Sequence, residues 1–405
     1  MLLLTLVTSD FVAADDTVTI KMALLATSGE QRQAWLKVTS EFSELFPNVK
    51  FKTLLLENEP YHNYMQDWHN QEVDILYGFA GQRLRDAIDT GNVANLTDIW
   101  QDSWSSQFAK LKQVVSQNAQ VYALPISYYH WGFFYNRLLF EELNIAAPRT
   151  FSQLNKISKR LKANGVYPFI FPGSDGWMAS SWFSYLNIRV NGKEFHLRVL
   201  RGEVSFGDEK IRRILSEWQT LIDADWFHPQ AYQFDIRQSL PLLFRKDAAM
   251  ILGGNFISKH ARKEFRSKIG FFTFPEIKKE FKHIEEAPTD VLFIHKNSSV
   301  VSESKAFLKF LSQPEIIFAF NETVGYISPN KNSPQSEDYF VKQGVSLLQG
   351  ATGTTQFLDR DSNKSFSEPL MRKLSEFMTT GDVDKTIEGL ERVRTDYIRN
   401  RGSRD

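Results

Sequence analysis

The sequence predicts an α/β fold in two lobes, each a mostly parallel sheet flanked by helices. The chain has 405 residues, which is long for a single core. From Val18 to Gly91 it alternates strand, helix, strand, helix, strand, the order of a parallel sheet covered by helices. The second half repeats that alternation.

Val18 to Leu25 reads as the first strand. Ser28 is placed to cap the helix that follows, in which Trp35, Val38, Phe42 and Leu45 recur at three- and four-residue spacing. Phe46-Pro47-Asn48 stops that helix. Val49 to Leu56 and Val73 to Tyr77 are further strands, and Leu84 to Asp89 a helix closed by Gly91. Ligands of such sheets sit at the carboxyl ends of the strands. That rule selects Ser28 to Gln31, Glu57 to Tyr61 and Phe79 to Gln82, stretches whose composition also suits a plain connecting turn.

Val121 to Thr150 carries a crowd of aromatic residues beside Leu124-Pro125, between an extended run and a helix. Rings offer an apolar face with polar tips, and this placement suits a handover between lobes around a ligand. Leu154 to Ala163 is then a helix and Tyr167 to Phe171 a short strand, before the glycine-rich turn that leads to Trp177. Ile211, Ile214, Leu215, Trp218 and Leu221 form a helical face. Ala248 to Leu252 is a buried strand that breaks at Gly253-Gly254-Asn255, and Ile269 to Phe274 is a strand closed by Pro275. Ser302 is placed to cap a helix through Phe307 and Leu311 that Pro314 stops. Two helices, around Leu374 and Leu390, end the chain.

Lys plus Arg equals Asp plus Glu, 48 of each, so no general charge draws nucleic acid. The chain has no cysteine, which excludes disulfides, zinc–cysteine sites and thiol catalysis. Leu2 to Val7 is a short apolar run, and Val12-Ala13-Ala14 before Asp15-Asp16 resembles a cleavage site. Residues 1–14 are therefore expected to be a signal peptide, truncated at its basic start, and the protein an exported one. No later stretch approaches the ~20 apolar residues of a membrane span.

Several segments together resemble one family, the family 1 extracellular solute-binding proteins of bacterial ABC transporters, a group that includes maltose- and glycerol-3-phosphate-binding proteins. Trp35 to Pro47 is similar to the family's first helix, and Val73 to Ile99 to its third strand and the helix after it. The stretch YALPISYYHWGFFYNRLLFEELNI, with Pro148 and Thr150, resembles its central segment. LFRKDAAMILGGNF, from Leu243 to Phe256, resembles its return strand, although Asp247 stands where glycine is usual. The matches span about four-fifths of the chain, and their order and spacing carry the specificity.

The resemblance implies the type II periplasmic-binding-protein fold, with the ligand in a cleft between lobes that the chain crosses repeatedly. Crossings are expected near Ser127, Asn255 and Pro314, with Leu124 to Ile126 running between the lobes. The first lobe is then 17–127 with 256–313, and the second 128–255 with 314–405. It also implies ligand-binding residues. These are Glu30, Glu57, Asn58, Phe79 and Gln82 from the first lobe, and Tyr128, Tyr129 and His130 from the crossover. From the second lobe come Asp175, Trp177, Gly254, Asn255, Asp359 and Arg360. The glycines would let a ligand approach the backbone, and Trp131 is expected to be core.

His62 and His69 stand two helical turns apart, about 10 Å of rise, too far to share an ion without a further partner, so no metal is expected. No cofactor is expected either. The nucleophile-elbow, Walker, dinucleotide and HExxH motifs are absent. The expected function is a monomeric periplasmic receptor that captures a small carbohydrate and delivers it to the permease of an ABC importer. The alternatives are a sensor that presents its closed form to a receptor kinase, a glycerol-phosphate carrier, and a polysaccharide-acting enzyme. The acidic candidates outnumber the basic one, Arg360, which favours a neutral sugar over a phosphorylated one.

Overall fold

The computed structural model describes residues 17–402 except Asp175. The expected signal peptide lies outside the described residues. β1 (Val18–Leu25), α1 (Gly29–Leu45), β2 (Val49–Leu56), α2 (Asn58–Tyr64), β3 (Ile75–Phe79), α3 (Gln82–Asp89) and β4 (Leu124–Tyr128) build most of the first lobe. The Ser28 hydroxyl accepts the Gln31 N–H and caps α1. Trp35, Val38 and Phe42 are buried from that helix, as their spacing requires.

The chain passes through Tyr129 and His130 into β5 (Trp131–Asn136), which starts the second lobe. α4 (Phe151–Ala163), β6 (Tyr167–Ile170), α5 (Met178–Leu200), α6 (Glu209–Asp223), β7 (Ala248–Gly254), α7 (Phe256–His260), α8 (Lys263–Arg266), β8 (Ile269–Phe272) and β9 (Ile284–Glu286) follow. β10 (Thr289–Ile294), α9 (Val301–Leu311) and α10 (Pro314–Val324) belong to the first lobe again. α11 (Tyr339–Gln349), β11 (Gly353–Thr355), α12 (Leu358–Asp361), α13 (Lys364–Thr380) and α14 (Val383–Gly402) complete the second.

The first sheet has the order β2-β1-β3-β10-β4, and all of its strands except β10 run in one direction. The second has the order β8-β5-β7-β6, and all except β5 run in one direction. Each sheet is buried under its own helices, giving two separate apolar cores. Trp35, Phe42, Trp104 and Phe307 are central to one, and Phe133, Trp182, Tyr185 and Trp218 to the other. Strands covered on both faces are near-continuously apolar, which is why β7 carries no polar side chain and β10 none from Val291 to Ile294.

Strand pairing moves two of the expected crossings. Asn255 does not lead back to the first lobe, because β8, which follows it, pairs with β5 in the second sheet. The return comes at Ala287-Pro288, between β9 and β10. The last crossing comes at Gly325–Ile327, after α10, rather than at Pro314. The reason is that α10 packs on α1 and buries Ile317, Phe320 and Val324 in the first core. Leu124 to Ile126 also do not run between lobes; they form the edge strand β4. Ser302 sits inside the first turn of α9, whose N-cap is Val300, so it does not cap that helix.

Two of the crossings hold each other. Tyr128 N–H donates to Ile327 O at 3.1 Å and Ile327 N–H to Tyr128 O at 2.9 Å. The carboxamide of Asn255 donates to Gly325 O beside them.

Candidate functional site

At the junction of the lobes the chain assembles a wall of rings. Trp131 opens β5 and meets Trp177 edge-on at 5.7 Å and Phe256 at 5.7 Å. Phe256 opens α7, directly after β7. Tyr129, in the first crossing, stacks on Tyr326, in the last, at 4.9 Å, and meets Phe256 at 6.1 Å. Trp177 stands at the N-terminus of α5 and is half-buried. Strand alternation explains the set: β5 and β7 end side by side, with Trp131 paired to Gly254. A β-carbon on Gly254 would lie 2.5 Å from the Phe256 ring, so glycine is needed there to seat that ring.

A polar group abuts the rings. Arg360, from α12, donates through Nη1 to Asp290 Oδ1 at 2.8 Å and through Nη2 to the Tyr129 hydroxyl at 2.6 Å. Its guanidinium lies 3.8 Å from the centre of the Phe79 ring. Burial raises the pKa of the Asp290 carboxyl, while Arg360 and the Tyr77 hydroxyl draw it down. Arg83, from α3, donates to the Asp359 carbonyl at 2.6 Å and to Ser367 Oγ at 3.2 Å. The Asp359 carboxylate accepts from Ser180 Oγ at 3.4 Å. Gln31 Nε2 reaches the Tyr326 hydroxyl at 3.5 Å. Glu30 faces Arg266 of the opposite lobe at 3.9 Å. His62 is exposed at this junction, 6.5 Å from Phe79, and the fields of Arg83, Lys364, Asp359 and Arg360 reach it.

Ring faces beside hydroxyl and carboxyl groups suit a polyhydroxylated ligand. The cations of the cluster already have carboxylate or carbonyl partners, which leaves less to offer a phosphate. Two open cavities flank the junction. One, of about 740 Å³, is lined by Tyr128, Thr289, Tyr326 and Gln356, and the other, of about 690 Å³, by Gln82, Asp86, Asp361 and Asn363. Trp177 and Phe256 line neither of these. Among the described residues, no group of three His, Asp or Glu is placed to hold a metal ion.

The sequence profile of the bacterial extracellular solute-binding protein family matches residues 26–316. The chain belongs to that family. Among extracellular solute-binding proteins it is 22% identical, over 93% of its length and 87% of the relative's, to an uncharacterized ABC transporter extracellular-binding protein of Pyrococcus horikoshii. It is also 22% identical, over 54% of each chain, to the multiple sugar-binding protein of Streptococcus mutans. The fold is that of the solute receptor AcbH, which prefers β-D-galactopyranose: TM-score 0.88, 20% identity, 94% of this chain and 98% of AcbH covered. It is also that of RafE bound to raffinose: TM-score 0.77, 17% identity, 93% and 99% covered. These neighbours have the two-lobed type II fold.

In this solute-binding protein the structure brings Glu30, Phe79, Tyr129, Trp177, Asp359 and Arg360 to the junction. Gln82 is there too, but its side chain is bonded within α3, to Asp86 at 2.8 Å and Arg85 at 3.1 Å. Glu57 is exposed and pairs with Arg32 at 3.3 Å. Tyr128 lines the larger cavity, not the ring wall. Asp175 and the Asn58 side chain lie outside what the structure describes.

Three expected residues are placed elsewhere. His130 is fully buried, edge-on to Phe271 at 4.7 Å and tight against Gly344, because alternation turns it away from the side that Tyr129 faces. Burial lowers its pKa to about 3. Asn255 is fully buried and ties two crossings together. The backbone of Gly254 is approached by Phe256 and Trp131, not left open. Trp131 is buried, as expected, yet forms the floor of the wall. Sequence reasoning missed Arg83, Phe256, Asp290 and Tyr326. Phe256 alone carried a signal, since it directly follows the strand-end glycines.

Proposed function

We propose that this protein captures a small neutral carbohydrate between its lobes, outside the cytoplasmic membrane, and delivers it as a monomer to the permease of an ABC importer. The observation that carries the reading is the ring wall of Trp131, Trp177, Phe256 and Tyr129 beside the Arg360–Asp290 pair. A sugar would lay a ring face on Trp177 and bond its hydroxyls to Asp359, Glu30 and Gln31. Its arrival would favour the closed arrangement of the lobes, and the closed form would dock on the permease. The sugar-binding names among its relatives support the same reading. Glycerol phosphate fits less well, because Arg360, Arg83 and Arg266 are already engaged.

The test is calorimetry with D-galactose, maltose, raffinose and glycerol 3-phosphate. A neutral sugar is expected to bind at micromolar dissociation constant or tighter and to be recovered unchanged. If none binds more tightly than about millimolar, the capture reading falls.

A further inference from the structure

α3 of the first lobe and α13 of the second meet end to side, beside the smaller of the two cavities, whose lining does not include Trp177 or Phe256. The Asp86 carboxylate of α3 accepts from Asn363 Nδ2 at 3.0 Å and from the Lys364 N–H at 3.4 Å, at the first turn of α13. In the other direction, Asp361 of the second lobe accepts from the backbone N–H of Gln82, at the first turn of α3. α3 needs an outside acceptor, since its own N-cap is Gly81, which has no side chain to offer.

Gly81 also makes the approach possible. A β-carbon there would lie 2.2 Å from Asp361 Oδ1 and 2.4 Å from Gln356 Nε2, and its φ of +77° is one that side-chain-bearing residues rarely adopt. A carboxylate at a helix N-terminus meets unpaired N–H groups and the positive end of the helix dipole. Here each lobe supplies the carboxylate for the other lobe's helix.

We propose that Asp86 and Asp361 form a reciprocal latch between the lobes, which prolongs the closed state without touching the captured solute. Neither carboxylate can bond the opposite helix unless the lobes are together. The latch therefore acts on the escape of the solute, and the contacts made to the solute stay as they are. In the sugar arm of its test the inference rests on the capture reading.

The absence of cysteine allows a clean measurement. Lys50 of β2 and Lys159 of α4 are exposed, one on each lobe. Spin labels on a Lys50→Cys, Lys159→Cys protein report the interlobe distance with and without saturating D-galactose, maltose or raffinose. Asp86→Ala and Asp361→Ala are each expected to move the population toward longer distances. Each is also expected to speed sugar release about tenfold, the scale of hydrogen bonds to a charged group. The melting temperature of the sugar-free protein should stay within a few degrees, because the lobes can part and let water reach the N–H groups that lose their acceptor. Unchanged distances and release rates in both variants overturn the latch. If none of the three sugars closes the unmodified protein, the carbohydrate reading fails, and the sugar-free distances alone decide the latch. It stands if the alanine variants lengthen them and falls if they do not.

Discussion

Arg360 of the second lobe and Asp290 of the first form an ion pair at 2.8 Å, with side chains only 12% and 4% exposed. Removing one partner of a buried pair commonly costs about 3–5 kcal/mol, because the other charge is left dry. Here the stranded Asp290 has an escape that a core residue lacks: the lobes can part and admit water. Arg360→Ala is therefore expected to open the molecule more than to unfold it. Small-angle scattering should give a larger radius of gyration, with a melting temperature lowered by less than such a penalty implies. An unchanged radius would mean that the pair does not hold the lobes.

Trp177 is the half-buried member of the ring wall, with its edge contacts on Trp131 and Phe256. Trp177→Ala should weaken sugar binding at least about tenfold, close to 1.4 kcal/mol, while the sugar-free protein melts nearly as before. Calorimetry and melting curves on the same variant decide this. A large drop in melting temperature with unaltered affinity would assign Trp177 to the core instead.

Glu286 and His196 are both fully buried, 3.9 Å apart. Burial raises the glutamate pKa well above its usual range and lowers the histidine to about 3, so the histidine is neutral near pH 7 and the contact is not ionic. The folded form thus holds the Glu286 proton after the unfolded chain has released it. The stability this gives is complete below the unfolded glutamate pKa and is lost as pH rises through the folded one. Glu286→Gln keeps the neutral shape. It should match the parent in urea titrations at pH 4 and exceed it at pH 8. Equal midpoints at both values would show that Glu286 is ionised when folded.

The His130 ring lies where a β-carbon on Gly344 would come within 2.0 Å of Nδ1. Gly344→Ala should therefore destabilise the second lobe by about 1–3 kcal/mol through overpacking. His130→Ala should relieve that clash, so that the double variant loses less than the two single changes together. Sugar affinity should follow neither change, which separates His130 from the ring wall.

Much of the fold can be read locally. The periodicity of Trp35, Val38 and Phe42 and the cap at Ser28 specify α1 without any partner. The crossings cannot be read in that way. β8 and β10 are both short apolar runs, and only their pairing partners, far away in the chain, assign one to each lobe. The site divides along the same line. Trp177 and Phe79 stand at strand or turn ends, where a general rule finds them. Asp290 carries no local mark, and it matters through Arg360, which lies 70 residues further on. Alternation along an extended segment says that Tyr129 and His130 face opposite ways, but only the contacts of Tyr129 with Tyr326 and Arg360 tell which of the two faces the junction.

β10 sits between β3 and β4, although it is made long after both. While the chain is being synthesised, β4 has no neighbour in its sheet until residue 294 has emerged. The first core also lacks Phe307, Ile317 and Phe320 until α10 is complete. The first lobe therefore cannot finish before most of the second has been made. A nascent chain arranged in this order carries an unfinished first lobe through most of its translation, with the edge of β3 still waiting for β10.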